Sequence, residues 1–141
     1  MILSVMLLSL CGCGGDYIPG AELFCLSDQL NQIELRHDGL GIAYINSPDG
    51  QANDGVKLAT YNRLLKSLAL TPTGRKSELD RSIYEISFSV TIYEEYTYNI
   101  LDTKYIRIII KDELVFYDDQ WYEANTSQLL RQMGRDFADV A

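Results

Sequence analysis

The sequence predicts an α+β domain in which an antiparallel sheet, made of a hairpin plus a Tyr-rich meander, carries two helices packed on one face. Three observations lead there. Tyr84, Ile86, Phe88, Val90 and Ile92 alternate with Glu85, Ser87, Ser89 and Thr91, the period of a strand with one buried and one wet face. Leu58, Tyr61, Leu65 and Leu68 recur at helical spacing, as do Leu130, Met133 and Phe137 near the C-terminus. Between these segments, short Tyr-rich runs are separated by acidic pairs, the pattern of tight turns joining neighbouring strands.

Taken in order, Asp16 to Gly20, with Pro19, reads as linker and Ala21 to Leu26 as a short apolar lead-in. Ile33 and Leu35 then alternate with Gln32, Glu34 and Arg36, Asp38-Gly39 supplies a turn with positive φ, and Leu40, Ile42 and Tyr44 alternate on the return arm of a hairpin. Asn46 to Gly55 contains several turn signals and lacks the spaced ligands of a calcium loop, so it reads as a solvated loop. Asp54 is placed to cap a helix over 56–69 whose Lys57, Arg63 and Lys66 face outward, and Pro72 stops it. A polar loop over 71–80 leads into the strand at 84–92. Further strands are expected over 96–101, 105–110, 114–117 and 120–124, with turns at Asp102-Thr103, Asp112-Glu113 and Asp118-Asp119. Asn125 or Thr126 caps a last helix running to Ala138.

Composition narrows the function. With 20 acidic against 12 basic side chains and a net charge of −8, the chain lacks the clustered Lys and Arg that bind a phosphate backbone, so nucleic acid is excluded as a partner. The same excess repels the body from anionic lipid headgroups. Cys25, the only cysteine beyond Cys13, lies between Phe24 and Leu26 and reads as a small buried apolar residue, which leaves the body without a disulfide framework. His37, the single histidine, reads as an exposed strand-end residue, and one histidine gives no basis for a metal centre. No cofactor is implied. The adjacent carboxylates Glu94-Glu95, Asp112-Glu113 and Asp118-Asp119 read as turn residues, because neighbours on a strand point to opposite faces and do not form an acid–base pair.

The N-terminus carries the address. The apolar run from Met1 to Leu10 spans roughly 15 Å as a helix against about 30 Å of hydrocarbon, too short for a transmembrane anchor. It closes on Leu10-Cys11-Gly12-Cys13 and continues as Gly14-Gly15. Leu three residues before a cysteine, with a small residue just before it, resembles the signal of bacterial lipoproteins, and the resemblance implies that Cys13 is acylated and becomes the N-terminus. Cys11 is the weaker alternative, since bulky Leu10 precedes it. The segment departs from that pattern in having no basic residue before Arg36. The implied organisation is a signal over 1–12, a tether over 13–20 and one α+β domain over 21–141. With its hairpin, amphipathic helix, Tyr-rich meander bearing Asp119-Gln120-Trp121-Tyr122-Glu123 and closing helix, the chain resembles small predicted bacterial lipoproteins of unknown role. That resemblance places the domain outside the cytoplasm, held at the cell membrane by an N-terminal lipid.

Tyrosine is the outstanding feature of the body: Tyr93, Tyr96, Tyr98, Tyr105, Tyr117 and Tyr122, with Trp121, fall within one short stretch. Half-buried rings suit a pleated strand, and they also suit an open face that binds a peptide, a glycan or a protein. The sequence-based expectation is therefore a non-enzymatic binding module using Tyr96, Tyr98, Trp121 and Tyr122 on the solvent side of the meander. The alternative is a small envelope hydrolase whose carboxylates converge only in the fold; no nucleophile and base occur together in the sequence.

Overall fold

The computed structural model describes residues 16–27, 30–46, 53–97 and 99–140, and the lipidation candidates Cys11 and Cys13 lie outside them. The elements run β1 (Ile18–Pro19), α1 (Gly20–Leu23), β2 (Gln32–His37), β3 (Leu40–Ile45), α2 (Asp54–Lys66), β4 (Ala69–Pro72), β5 (Tyr84–Tyr93), β6 (Ile100–Lys111), β7 (Leu114–Tyr117), β8 (Gln120–Ala124) and α3 (Ser127–Val140). The strands form one antiparallel sheet in the order β1-β4-β8-β7-β6-β5-β2-β3, giving the α+β architecture its single layer of strands. Ile33, Leu35, Ile86, Phe88, Ile106, Ile108, Ile110, Val115 and Tyr122 point to one face and form a core with Leu58, Tyr61 and Leu65 of α2 and Leu129, Met133 and Phe137 of α3.

The turns follow their residues. Asp38 and Gly39 have φ of 47° and 82°, and Asp118 and Asp119 have φ of 51° and 65°, so both hairpins close on left-handed pairs whose twist matches the strands. Asp112 at φ 52° turns β6 into β7. The expected turn at Asp102-Thr103 is absent: both residues lie inside β6, and the chain reverses instead over 94–99. A Glu94 N–H bond to the Asn99 carbonyl closes that reversal. Two short strands thus merge into one long one, because the pairing of Thr91 with Thr103 and Ile92 with Asp102 outweighs the local turn preference of aspartate.

Other boundaries shift for similar reasons. The helix expected over 56–69 ends at Lys66, and Ala69–Pro72 is a strand pairing with β8 on one side and β1 on the other. Pro72 is tolerated there as the last residue of a four-residue strand. The expected linker and tether at 16–20 is also corrected: Ile18 and Pro19 pair with Leu70 and Ala69, and Gly20 is buried. Asp54 is the first residue of α2, preceded by Asn53 as the N-cap, and its carboxylate accepts the Ile45 N–H at 3.1 Å, tying the helix to the edge strand β3. Thr126 and Asn125 likewise serve long-range contacts: the Thr126 hydroxyl donates to the Asp112 carbonyl, and Asn125 accepts from Ala69 N–H and donates to the Ser67 carbonyl. Cys25 is exposed, contrary to the expected burial, because its φ of 52° just after α1 turns it outward while Phe24 fills the core. His37 is tucked in, not exposed: its ring stacks on Tyr84 at 3.8 Å, and its Nδ1–H donates to the Ile83 carbonyl at 2.8 Å.

Gly20 is where α1 meets α2. A Cβ built there falls 1.9 Å from the Leu65 carbonyl oxygen, which is backbone and cannot swing aside. Gly20→Ala should therefore separate the two helices and lower stability by about 1 to 3 kcal/mol, the usual range for overpacking, as read by urea unfolding. A variant with wild-type stability would mean that α1 does not dock here.

Candidate functional site

Among the described residues the opposite face of the sheet carries no helix, and it divides in two. Its β4–β8–β7 side is roofed by the connection over 73–83, which must pass from β4 to β5 across the strands between them. Arg75 pairs with Glu113 at 2.8 Å and Glu123 at 3.6 Å, Asp80 with Lys111 at 3.0 Å, and Arg81 with Asp38 at 2.8 Å. Hydrogen bonds from the Ser82 hydroxyl, from Lys111 and from the Ser82 N–H hold the Asp80 carboxyl well below the usual carboxylate range. Beneath this strap, Ile109, Phe116 and Trp121 stand in one row across β6, β7 and β8, with the Phe116 and Trp121 rings 5.0 Å apart.

The expected aromatic platform does not assemble. Tyr122 belongs to the core on the helix side, where burial, first, and Asp118, second, push its phenol up. Trp121 faces the other way but is only 8% exposed. Tyr96 stands in the β5–β6 turn, 86% exposed, and Tyr98 lies outside the described residues. Alternation explains the split: Trp121 and Tyr122 are strand neighbours and point to opposite faces.

The uncovered part of the helix-free face lies across β2, β5 and β6. There Ser87 and Ser89 of the middle strand form the floor of a depression of about 280 Å³, walled by Gln32 and Glu34 on β2 and by Tyr105 and Arg107 on β6. Register brings these together: Glu34 pairs with Ser87, Ser87 with Arg107, and Ser89 with Tyr105. Short side chains between longer ones make the hollow. Tyr105 is 83% exposed, an aromatic ring at the rim.

Charges around the hollow are neutralised internally. Arg107 reaches Glu85 at 2.6 Å, and Arg36 reaches Glu34 at 2.7 Å. The carboxylate raises the Arg107 guanidinium above its ordinary value. The site therefore offers an amide, hydroxyls, fixed carboxylate acceptors, guanidinium donors and one ring, without net charge. Sequence alternation marked Ser87 and Ser89 as wet; the partners across β2 and β6 needed the register, which sequence did not contain.

A second polar group lies inside, between the helices. Asp136, 3% exposed, accepts from Lys57 Nζ and the Tyr61 hydroxyl, each at 2.5 Å, and from Gln132 at 3.2 Å. Burial works to raise this carboxyl, but the bonds from Lys57, Tyr61 and Gln132 outweigh it and hold it below the usual range. Burial and the same carboxylate push Tyr44 up to about 12, and Tyr61 still higher. With Asp136 at its buried centre, the cluster ties α2 to α3. Among the described residues no three metal-binding side chains converge, and no helix is long and apolar enough to cross a membrane. No family model, curated protein or solved structure matches the chain.

Proposed function

We propose that this chain is an envelope lipoprotein acylated on Cys13, whose body is a non-enzymatic module binding a neutral, polyhydroxylated ligand, a glycan segment, in the hollow between β2, β5 and β6. The observation that carries the ligand class is Tyr105 standing exposed beside Gln32, Glu34, Ser87 and Ser89, with both arginines already paired. A sugar ring has an apolar C–H face that lies on an aromatic ring and equatorial hydroxyls that bond to amides, carboxylates and serines. Internal ion pairs leave no unspent charge for a phosphate or carboxylate ligand. Hydrolysis is the weaker reading: the carboxylates of Glu34 and Glu85 are each already engaged in an ion pair with an arginine of the protein.

Lipidation and binding are tested separately. Mass spectrometry of the membrane-extracted protein is expected to find a diacylglyceryl-modified N-terminal Cys13, and an unmodified full-length chain in the cytosol overturns the anchoring. On an array of neutral oligosaccharides, the protein is expected to retain at least one class, and Tyr105→Ala to weaken that binding by about tenfold with an unchanged melting temperature, as loss of one stacked ring predicts. An array with no retained saccharide, or a variant that binds as before, overturns the glycan reading.

A further inference from the structure

The two margins of the sheet are guarded unequally. At one margin β1 is two residues long and ends in Pro19, which has no N–H to offer, so that edge is short and blunted. The other margin is β3. Its sequence, Leu-Gly-Ile-Ala-Tyr-Ile, carries no charge and no proline, and it pairs with β2 in unbroken register. Charges, prolines and bulges are the devices that keep an edge strand from pairing with another chain, and β3 has none of them.

Hydrogen-bond phase identifies what this edge offers. In a hairpin closed by a two-residue turn the flanking residues bond to each other, so His37–Leu40, Leu35–Ile42 and Ile33–Tyr44 are the bonded pairs. Gly41, Ala43 and Ile45 therefore direct their N–H and C=O groups away from the sheet. Ile45 confirms the phase, since its N–H is the one met by the Asp54 carboxylate. Among the described residues no bond from outside the sheet reaches Gly41 or Ala43.

We infer that β3 pairs antiparallel with β3 of a second copy of this chain, about a two-fold axis at Ile42. The edge is complementary to itself, as such an axis demands. With Gly41 opposite the second copy's Ala43, the two residues of each chain satisfy one another's N–H and C=O groups, and Ile45 stays on Asp54. An axis at Ala43 would instead need the Ile45 N–H, which is taken. On the helix-bearing face the chosen register sets Ile42 against Ile42 and Leu40, 39% exposed, against Tyr44, apolar cross-strand pairs of the favourable kind. On the other face charge is complementary. Arg36 is level with Gly41 and Glu34 with Ala43, so each row runs Arg36, Gly41, the second copy's Ala43, the second copy's Glu34. These opposite charges are three strand spacings apart, about 14 Å between Cα atoms, which an arginine and a glutamate extended toward each other span. Only a hydrogen and a methyl group lie between them. The Arg36–Glu34 pairs of the two copies thus join into a cluster of four alternating charges.

An axis normal to the sheet leaves corresponding faces on the same side. Both hollows then open in one direction, with their β5 strands five spacings or about 24 Å apart, and a repeating glycan would engage both at once. That consequence rests on the glycan reading, whereas the pairing does not.

Sedimentation equilibrium of the full chain in mild detergent, from micromolar to millimolar concentration, is expected to show a reversible monomer–dimer equilibrium. Ala43→Pro removes an N–H that faces the edge and not β2, and it should weaken the dimer at least about tenfold with an unchanged melting temperature. Arg36→Glu should weaken it as well, and adding Glu34→Arg should restore it. Amide exchange in the unaltered chain reads the register: Gly41 and Ala43 should slow as concentration rises, while Ile45 is slow throughout. A chain that stays monomeric at millimolar concentration overturns the inference, as does a dimer undiminished by Ala43→Pro or exchange at Gly41 and Ala43 that ignores concentration. If Ala43→Pro fails to fold, the exchange and the charge reversal decide alone. An edge reserved for a strand of another protein would leave the purified chain monomeric, which is the overturning result.

Discussion

Asp136→Ala is expected to destabilise the domain by about 3 to 5 kcal/mol, the cost of breaking a buried charged pair from one side. The loss has two parts. Tyr61, 0% exposed, would keep a buried hydroxyl without its acceptor, and Lys57 would lose its counter-charge. Lys57 is partly exposed and can turn toward water, which places the expected value nearer the lower bound. Asp136→Asn retains an acceptor for Tyr61 and should cost less. Acid provides an independent reading of the same group. A carboxyl held low in the folded state contributes stability that is present above its unfolded value, near 3.9, and is lost as pH falls through the lower folded value. Chemical unfolding midpoints should therefore fall below about pH 4, and Asp136→Asn should flatten part of that fall. On the alkaline side, Tyr44 and Tyr61 are raised, so their contribution is complete below about pH 10 and lost as pH climbs through their folded values. A wild-type unfolding midpoint for Asp136→Ala would mean that the cluster does not join α2 to α3.

Phe88→Ala should also cost about 3 to 5 kcal/mol, whereas Ser87→Ala one residue away should cost a few tenths. Phe88 packs edge-on to Phe24 at 6.2 Å and sits in the core between Ile33 and Ile106. Ser87 lies on the floor of the opposite hollow. The pair tests which face of β5 is inward, since a strand slipped by one residue would exchange the two effects. Guanidinium unfolding of both variants measures it, and equal small losses would reject the assignment.

How far the sequence reached can be read from those two residues. Alternation from Tyr84 to Val90 was strong enough to assign the inward face, whereas Ile92, expected on the same buried face, is 37% exposed; the spacing of Leu58, Tyr61 and Leu65 found the inward side of α2, because burial of one face imposes a period that propensity need not supply. The Asp-Gly and Asp-Asp turns were legible for a local reason, their left-handed backbone. The failures are non-local. β1 and β4 have two and four residues, too few to show a period, and exist because β4 pairs with β8 and in turn offers its other edge to β1. Asp102 carries a turn signal that long cross-strand pairing overrides. Trp121 is buried by a strap whose path depends on Arg75, Asp80 and Arg81 finding partners far along the chain. The hollow was illegible for the same reason: Gln32, Ser89 and Tyr105 become neighbours only once β2, β5 and β6 are in register.

The placing of β1 sets a timetable for folding. During synthesis Ile18 and Pro19 emerge first, but their partner β4 comes some fifty residues later, and the other neighbour of β4, β8, occupies residues 120–124. At about 5 to 20 residues per second, the leading strand waits several seconds for its place in the sheet. Leu129, Met133 and Phe137, which close the core, follow later still. The core therefore closes only once α3 has been made, and until then the strands already synthesised lack the side chains that complete it.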